Sequence, residues 1–250
     1  MGDAARGRVH CTGVILAGGE ASRYGGHPKG LATVGGVRII DRVARALSSA
    51  ADALLLVANA PDADRWLPGV RRCGDVRPGL GSLGGVHAAL SHANGAVLVV
   101  AWDMPFVSPG LLAALRTLGE SGYDAAVPES DSRRGVEPMC AWYAPPCLPA
   151  IERALDRDDR RVIGFFDEVR VARLGAAAVR AFGDPERLFL NVNAPDDLRR
   201  AEALDAVGAP GDSAASAAGD ASASAAGDAA ASATGDAIGA RAAPARRPDA

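Results

Sequence analysis

The chain has 250 residues, a formal net charge of −3, 48% apolar residues and 4% aromatic residues. This charge argues against a nucleic-acid-binding protein, and no apolar run reaches the roughly 18 residues of a membrane-spanning helix. The amino terminus lacks the apolar core of a secretory signal, and the four cysteines have neither the spacing nor the histidines of a zinc site. We therefore expect a cytoplasmic protein with reduced thiols that are mostly core residues.

Short apolar runs alternate with helical patterns between residues 8 and 207. In chain order, the patterns predict a strand at 12–18, a helix at 38–50, strands at 53–59 and 70–74, a helix at 82–93, a strand at 95–103, a helix at 108–119, strands at 124–130 and 138–143, and a closing helix at 193–204. The strand patterns are continuous rather than alternating, which indicates burial on both faces. The sequence therefore predicts an α/β domain with a doubly wound, mostly parallel sheet, in which the strand at 138–143 is a candidate for antiparallel pairing.

Residues 208–250 differ from the rest of the chain in composition. From Gly211 onward, an eight-residue repeat combines Gly-Asp with alanine and serine, as in GDSAASAA and GDASASAA. Such a segment has almost no large apolar side chain, so burial cannot offset the entropy that is lost on ordering. We expect a disordered tail at 208–250 after a single domain at 8–207; a solenoid is the alternative interpretation of the repeat.

A glycine-rich, basic loop follows the first predicted strand. Its sequence is LAGGEASRYGGHPKGL at residues 16–31, with Arg23 and Lys29 as cations. Glycines allow backbone N–H groups to approach an anion closely, and both cationic side chains can donate charge-assisted hydrogen bonds to phosphate oxygens. The spacing matches neither a Walker A loop nor a dinucleotide-binding fingerprint. The loop predicts a nucleoside triphosphate site; a mobile surface loop with solvated charges is the alternative.

Polar residues also follow the other predicted strands. Asn59 follows the second strand, Asp75 follows the short third strand and Asp103 follows the fourth. In doubly wound sheets, ligands bind beyond the carboxyl ends of the strands. We therefore expect these three side chains to lie near the glycine-rich loop. Asp103 is a candidate metal ligand, with a cap of the next turn as the alternative.

The glycine-rich loop resembles the signature L-A-G-G-x-x-x-R-x-G-x-x-K of nucleotidyltransferases with a glycosyltransferase-A-like, Rossmann-like fold. Within that superfamily, the chain is most similar to the molybdenum cofactor guanylyltransferases. Four further segments match motifs of that family in the same order: PGLGSLGGVHAAL, WDMPFV, EPMCAWY and FLNVNAPDDL. The resemblance spans about residues 8–205. Ser82, Trp102 and Ala194 depart from the pattern, which usually has Pro, Cys and Thr at these positions.

The resemblance implies that the protein transfers GMP from GTP to the terminal phosphate of molybdopterin, free or bound to molybdenum. The products are molybdopterin guanine dinucleotide and pyrophosphate. Because the acceptor phosphate is already anionic, the chemistry calls for cations rather than a strong base. The implied catalytic residues are Arg23, Lys29 and Asp103. The implied cofactor is Mg2+, with Asp103 as one ligand and Asn193 as a candidate second ligand. A cap of the closing helix is the alternative for Asn193, and the two roles are compatible.

The nucleotide-binding residues that the resemblance implies are Leu16, Ala17, Gly18, Gly19, Lys29, Asn59, Asp75 and Asp103. The first three place backbone groups against the guanine, and Gly19 keeps this wall open. Asn59 and Asp75 are candidate base or ribose contacts, since a carboxylate can accept from guanine N1–H and N2–H; a turn residue is the alternative for Asn59. Relatives that use CTP tend to have Ala-Ala-Gly in this loop, so the sequence at 17–19 favours a purine.

Candidate contacts to the pterin come from the second half of the chain. Arg133, Arg134 and the RDDRR segment at 157–161 are candidates for its phosphate, with a solvated charged surface as the alternative. The loop at 77–85 is a candidate for an anion or the pterin, with a tight connection as the alternative. A molybdoenzyme or a cofactor-chaperone protein is a candidate partner, whereas nucleic acid and membrane are not expected.

Three interpretations compete with the guanylyltransferase, the last of which is that the repetitive tail is the functional interaction segment. The first comprises other nucleotidyltransferases of the same fold: a molybdopterin cytidylyltransferase, a phospholactate guanylyltransferase or a sugar-1-phosphate enzyme. The second is a GTP-binding regulator without catalysis. The presence of Arg23, Lys29 and Asp103 argues against the second interpretation, because binding alone would not require all three.

Overall fold

The computed structural model describes residues 10–18 and 28–208. Within this part, the strands are β1 (Cys11–Leu16), β2 (Thr33–Val34), β3 (Val37–Arg38), β4 (Ala53–Val57), β5 (Arg71–Cys73), β6 (Ala96–Ala101), β7 (Ala125–Pro128), β8 (Cys140–Tyr143) and β9 (Val171–Leu174). The helices are α1 (Ile39–Ser48), α2 (Gly81–His92), α3 (Pro109–Glu120), α4 (Cys147–Asp156), α5 (Ala176–Arg180), α6 (Pro185–Leu188) and α7 (Pro195–Gly208). Short 3-10 turns lie at Lys29–Leu31, Ala63–Arg65 and Phe166–Glu168.

In the described residues, seven strands form one sheet with the order β5-β4-β1-β6-β8-β7-β9, and β2 pairs with β3 in a separate hairpin. The pairings in the large sheet are parallel except for those of β8, which runs antiparallel to both β6 and β7. This topology confirms the doubly wound, mostly parallel sheet that the sequence predicts, including the antiparallel strand at 138–143. None of the helices in the described ranges has the length and apolar content needed to cross a bilayer.

Helices cover both faces of the sheet, and alternate side chains of each strand fill two separate cores. In β1, Cys11 and Ile15 pack into the core shared with α1 and α3, whereas Val14 and Leu16 pack into the core shared with α2 and α4. Every residue of β1 and β6 is consequently buried. This two-sided burial is the reason why the strands read as continuous apolar runs in the sequence.

All four cysteines lie in the described part of the chain and are free thiols. Three of them, Cys11, Cys140 and Cys147, are buried. Burial raises the pKa of Cys140 and of Cys147 to about 12, so both thiols stay protonated at neutral pH and act as small apolar core residues.

Several short elements are not indicated by the sequence patterns. Gly35 and Gly36, with φ values of 56° and 74°, connect β2 to β3. Each of these strands has only two residues, too few to produce a detectable alternation. In α4, Pro149 lies in the first turn, where proline is tolerated but obscures the helical pattern. By contrast, Ser108 caps α3 by accepting a hydrogen bond from the Leu111 N–H, as predicted.

The last helix reaches one residue into the predicted tail. α7 ends at Gly208, whereas the composition places the boundary at 207. Residues 209–250 lie outside the described part of the chain. The disordered tail and the single domain at 8–207 therefore remain predictions.

Four parallel strands end in register at one edge of the sheet. Lateral pairs join Cys73 to Val57, Val57 to Leu16, and Leu16 to Ala101. The residues two positions beyond these ends are, in order across the sheet, Asp75, Asn59, Gly18 and Asp103. The register therefore places four of the predicted site residues along one edge, where ligands bind in doubly wound sheets.

Candidate functional site

The centre of the site is a lysine that binds two side chains from distant parts of the chain. The Lys29 ammonium donates a short hydrogen bond to Oδ2 of Asp103 and a second one, of 2.6 Å, to Oδ1 of Asn193. Asn193 is 164 positions from Lys29 in sequence. The Asp103 side chain is 7% exposed and that of Lys29 is 22% exposed, so the ion pair is largely shielded from water. The structure thus brings together three residues that the sequence predicts for the site.

Backbone contacts hold these three segments in place. Asp103 lies two residues beyond β6, and its carbonyl oxygen accepts a hydrogen bond of 2.9 Å from the Val192 N–H. This bond holds the segment before α7 beside Asp103, so that the next residue, Asn193, reaches Lys29. Lys29 begins a 3-10 turn, in which the Leu31 N–H donates to the Pro28 carbonyl at 3.0 Å.

Asn193 does not cap the closing helix. The α7 helix starts at Pro195, and the carboxylate of Asp197 accepts hydrogen bonds from the N–H groups of Asn193 (2.9 Å) and Ala194 (2.8 Å). An acidic residue at the third helical position thus supplies half of a capping box. The alternative interpretation of Asn193 as a helix cap is therefore wrong, and its side-chain oxygen is directed to Lys29 instead.

Asp103 and Asn193 together offer two hard oxygen atoms to one cation. The donor set suits Mg2+, which takes one or two protein oxygens and completes its coordination with substrate phosphate and water. In the described ranges, no group of three or more His, Cys, Asp or Glu side chains could hold a metal ion by itself. The alternative of Asp103 as a simple turn cap is not supported, because its carboxylate binds the Lys29 ammonium.

Asn59 and Asp75 form a reciprocal pair at the outer end of the same edge. The Asn59 side-chain nitrogen donates to Oδ2 of Asp75 at 2.7 Å, and the Asn59 oxygen accepts from the backbone N–H of Asp75 at 2.8 Å. The pair joins the ends of β4 and β5. Asp75 Oδ1 has no hydrogen bond to another described residue, so one carboxylate oxygen remains available to a ligand.

The backbone groups at the end of β1 differ in whether the protein already occupies them or leaves them open to a ligand. The Leu16 carbonyl accepts from the Trp102 N–H at 3.2 Å, and the Ala17 N–H donates to the Val57 carbonyl at 2.9 Å. Gly18 is exposed, and a Cβ atom added there would meet no atom within 4 Å. Gly18 therefore faces open space at the centre of the edge. Gly19 and Arg23 lie outside the described residues, so their roles remain predictions.

A cavity of about 590 Å³ opens beside the amino terminus of α2. It is lined by Ser82, Arg134, Asp158, Asp159, Arg160, Arg161 and Val162. Arg160 pairs with Asp158, and Arg161 pairs with Asp159. Arg134 makes no hydrogen bond or ion pair with any other residue of the described ranges. The lining therefore carries three guanidinium groups against two carboxylates, an excess of one positive charge.

The topology places this arginine-lined cavity at the same edge as Asp103. β8 is antiparallel to β6 and starts at Cys140, which pairs with Val100 near the end of β6. The loop at 129–137, which carries Arg134, therefore lies at the carboxyl edge. Of the predicted pterin contacts, Arg134, Arg160 and Arg161 line the cavity, whereas Arg133 does not and Arg157 binds Glu168.

The mostly parallel sheet and the polar groups at its carboxyl edge define a nucleotide-binding α/β protein. Residues 13–171 match the family model described as MobA-like NTP transferase domain. A probable molybdenum cofactor guanylyltransferase of Pelotomaculum thermopropionicum is 39% identical over 197 residues, which are 78% of this chain and 94% of that protein. A molybdenum cofactor guanylyltransferase of Desulfosudis oleivorans is 34% identical over 79% of this chain and 96% of its own length.

A solved structure shows the same fold. It is the molybdopterin-guanine dinucleotide biosynthesis protein A of Archaeoglobus fulgidus, with a TM-score of 0.67, 30% identity and coverage of 78% of this chain and 99% of that one. The chain therefore belongs to the MobA-like NTP transferase family. This confirms the resemblance and the nucleotidyltransferase fold that the sequence motifs predict.

Proposed function

We propose that the protein transfers GMP from GTP to the terminal phosphate of molybdopterin in a Mg2+-dependent reaction. The observation that carries this proposal is the convergence of Lys29, Asp103 and Asn193 at the carboxyl edge of the sheet. Family membership and the names of the relatives support guanine nucleotide transfer in molybdenum cofactor synthesis. The proposal includes a cytoplasmic location, in keeping with the free cysteines.

In the reaction, an oxygen of the molybdopterin phosphate attacks the α-phosphorus of GTP. The new bond joins the two phosphates, and the bond between the α-phosphorus and its bridging oxygen to the β-phosphate breaks, so pyrophosphate leaves. The acceptor oxygen carries its negative charge already, and no proton has to be removed. The task of the site is to hold two anions in line and to neutralise the leaving group.

Lys29 supplies positive charge for this task. Its ammonium lies at the sheet edge in a partly buried position, where it can bind triphosphate oxygens with little screening by water. The Lys29 ammonium occupies the oxygens of Asp103 and Asn193 in this structure; when it binds the triphosphate instead, these oxygens would hold Mg2+, which would supply further positive charge to the phosphates. Arg23, carried by the glycine-rich loop, is proposed as a second cationic contact.

The Asn59–Asp75 pair is proposed to select guanine. The carboxylate of Asp75 can accept hydrogen bonds from N1–H and N2–H of guanine, groups that adenine lacks. Asn59 binds the other carboxylate oxygen and the Asp75 backbone, so the carboxylate is held ready before the base arrives. Leu16, Ala17 and Gly18 form the wall between this pair and Asp103.

The arginine-lined cavity is proposed to receive the molybdopterin phosphate. Its guanidinium groups suit a phosphate monoester dianion, and Arg134 is free of protein partners in the described ranges. The cavity lies at the carboxyl edge together with Asp103, on the side of α2.

Calorimetry of nucleotide binding tests the proposal. We expect GTP with Mg2+ to bind at least about tenfold, or about 1.4 kcal/mol, tighter than CTP or ATP. In Asp103→Asn, an isosteric change that removes the charge, the enhancement by Mg2+ should disappear, and turnover should fall by roughly 10²–10³-fold. Glu186→Gln, at an exposed pair with Arg200, is the matched control and should bind and turn over GTP normally.

The other outcomes assign different functions. Tighter binding of CTP would identify a cytidylyltransferase and overturn the role of Asp75 in guanine selection. GTP binding without transfer to molybdopterin would indicate a regulator. A chain that binds no nucleotide would refute the proposal as a whole.

A further inference from the structure

Trp102 and Gly30 are packed against each other directly beside the central ion pair. Gly30 follows Lys29, and Trp102 precedes Asp103. A Cβ atom added at Gly30 would lie 2.4 Å from Cε3 and 2.6 Å from Cδ2 of Trp102, so the glycine backbone rests on the face of the indole. Both residues are buried. The contact therefore couples the backbone that carries Lys29 to the backbone that carries Asp103.

A second tryptophan supports the indole from another part of the chain. Trp66 stacks on Trp102 with ring centroids 5.0 Å apart and an interplanar angle of 21°. The Trp66 indole N–H donates to Asp62 at 3.2 Å, which fixes its ring. Trp102 itself is 5% exposed, and its indole nitrogen has no hydrogen-bond partner among the described residues. A buried donor without a partner lowers the stability of the fold, so hydrogen bonding does not explain a tryptophan at position 102. The packing of its flat ring face explains it instead.

We propose that Trp102 is a positioning residue that sets the Lys29 ammonium against Asp103 through the backbone of Gly30. The inference rests on the proposed role of Lys29 in binding the triphosphate. The indole surface limits how far the 3-10 turn at Lys29–Leu31 approaches the sheet. The stacked ring of Trp66 prevents the Trp102 indole from moving away. A side chain at position 30 would displace the turn, and Lys29 with it.

A double-mutant cycle tests this coupling. We expect Gly30→Ala to lower kcat/KM for GTP by at least about tenfold, since the methyl group collides with the indole. Trp102→Leu alone should lower kcat/KM by a smaller factor, because the turn loses its support. The double variant should recover to at least the level of Trp102→Leu, since leucine leaves room for the methyl group. If the fold-change in kcat/KM of the double variant equals the product of the two single fold-changes to within about twofold, the inference is refuted, because independent sites show additive free energies.

Gly119→Ala is the matched control for a general packing defect. A Cβ atom added at Gly119 would lie 2.1 Å from Cε3 of Trp142, so the same kind of collision arises in α3, away from the ion pair. This variant should lose thermal stability to a similar degree as Gly30→Ala but keep the kcat/KM of the folded enzyme. An equal loss of kcat/KM in Gly119→Ala would refute a specific role of the contact at Gly30.

Lys29→Ala separates this inference from the proposed function. If Lys29→Ala keeps full activity, the proposed role of Lys29 fails, and the positioning role fails with it. If Lys29→Ala is inactive while the cycle between positions 30 and 102 is additive, the proposed function stands and only the positioning role is refuted. Thermal unfolding of each variant shows that it is folded and can be compared.

Discussion

At the scale of single residues, the carboxylate of Asp75 is held in one orientation by Asn59. Asn59 binds the carboxylate and the backbone N–H of Asp75 at the same time. The asparagine therefore acts as an orienting residue, and the sequence indicates only that both residues follow strands. A hydrogen-bond acceptor that is held in place discriminates between bases, because a base without matching donors would leave the acceptor unpaired.

Asp75→Asn is expected to weaken GTP binding by between about tenfold and a hundredfold, the usual value of hydrogen bonds to a charged group. The amide oxygen of the new side chain can still accept from Asn59, so the loop keeps its conformation. The preference for GTP over ATP should narrow, because only guanine loses hydrogen bonds. Calorimetric titration with both nucleotides measures this effect. Unchanged selectivity would show that Asp75 does not contact the base.

At the scale of elements, the start of α7 determines where Asn193 lies. Ala194 precedes the helix and has no polar side chain, so Asp197 takes over the cap by accepting from two backbone N–H groups. A carboxylate in the first turn also interacts favourably with the helix dipole. This arrangement leaves the Asn193 side chain available to Lys29, and the helix start thereby becomes part of the site.

Asp197→Ala should lower the free energy of unfolding by about 1 kcal/mol, as expected for loss of a helix cap. It should also reduce kcat/KM, since the backbone of Asn193 loses one of its anchors. Chemical denaturation and steady-state kinetics measure the two effects. Asp196→Ala is the matched control: Asp196 is exposed and, among the described residues, pairs only with Arg199. Its loss should change the free energy of unfolding by no more than about 0.5 kcal/mol and leave kcat/KM unchanged.

At the scale of the whole molecule, the stability of the sheet should depend on pH through Asp124. This residue is 8% exposed and precedes β7, and its carboxylate binds the backbone N–H and the guanidinium of Arg170, which precedes β9. These hydrogen bonds from Arg170 hold the pKa of Asp124 below its ordinary value. A lowered pKa in the folded state stabilises the protein above the unfolded pKa of about 3.9, and this stabilisation is lost as the pH falls through the folded value.

Asp124→Asn is therefore expected to be less stable than the parent protein at pH 7 by about 1 kcal/mol, a modest value because Arg170 is largely exposed. The difference should shrink below pH of about 3.9 as the parent carboxylate becomes protonated. Urea denaturation at neutral and acidic pH compares the two proteins, with exposed Asp167→Asn as the control. A difference that is independent of pH would contradict the assignment.

Much of the fold and part of the site can be predicted from the sequence alone. Continuous apolar runs predict buried parallel strands, because burial on both faces removes the alternation of side chains. The residues that follow these strands can be assigned to the carboxyl edge of the sheet. Parallel strands that end in register bring the residues after their ends close together. On this basis the sequence predicts that Asn59, Asp75 and Asp103 lie at the carboxyl edge near the loop that carries Lys29, and the structure has them there. The short hairpin β2–β3 has no such signal.

Only the tertiary structure decides which of these side chains bind one another. Asn193 is a plausible helix cap by local pattern, and it becomes a partner of Lys29 because Val192 binds the Asp103 carbonyl. The contact between Gly30 and Trp102 likewise joins residues with no local relation. Local sequence determines strands, turns and caps through interactions within a few residues. Contacts across 74 or 164 positions depend on how the packed layers bring distant backbones together.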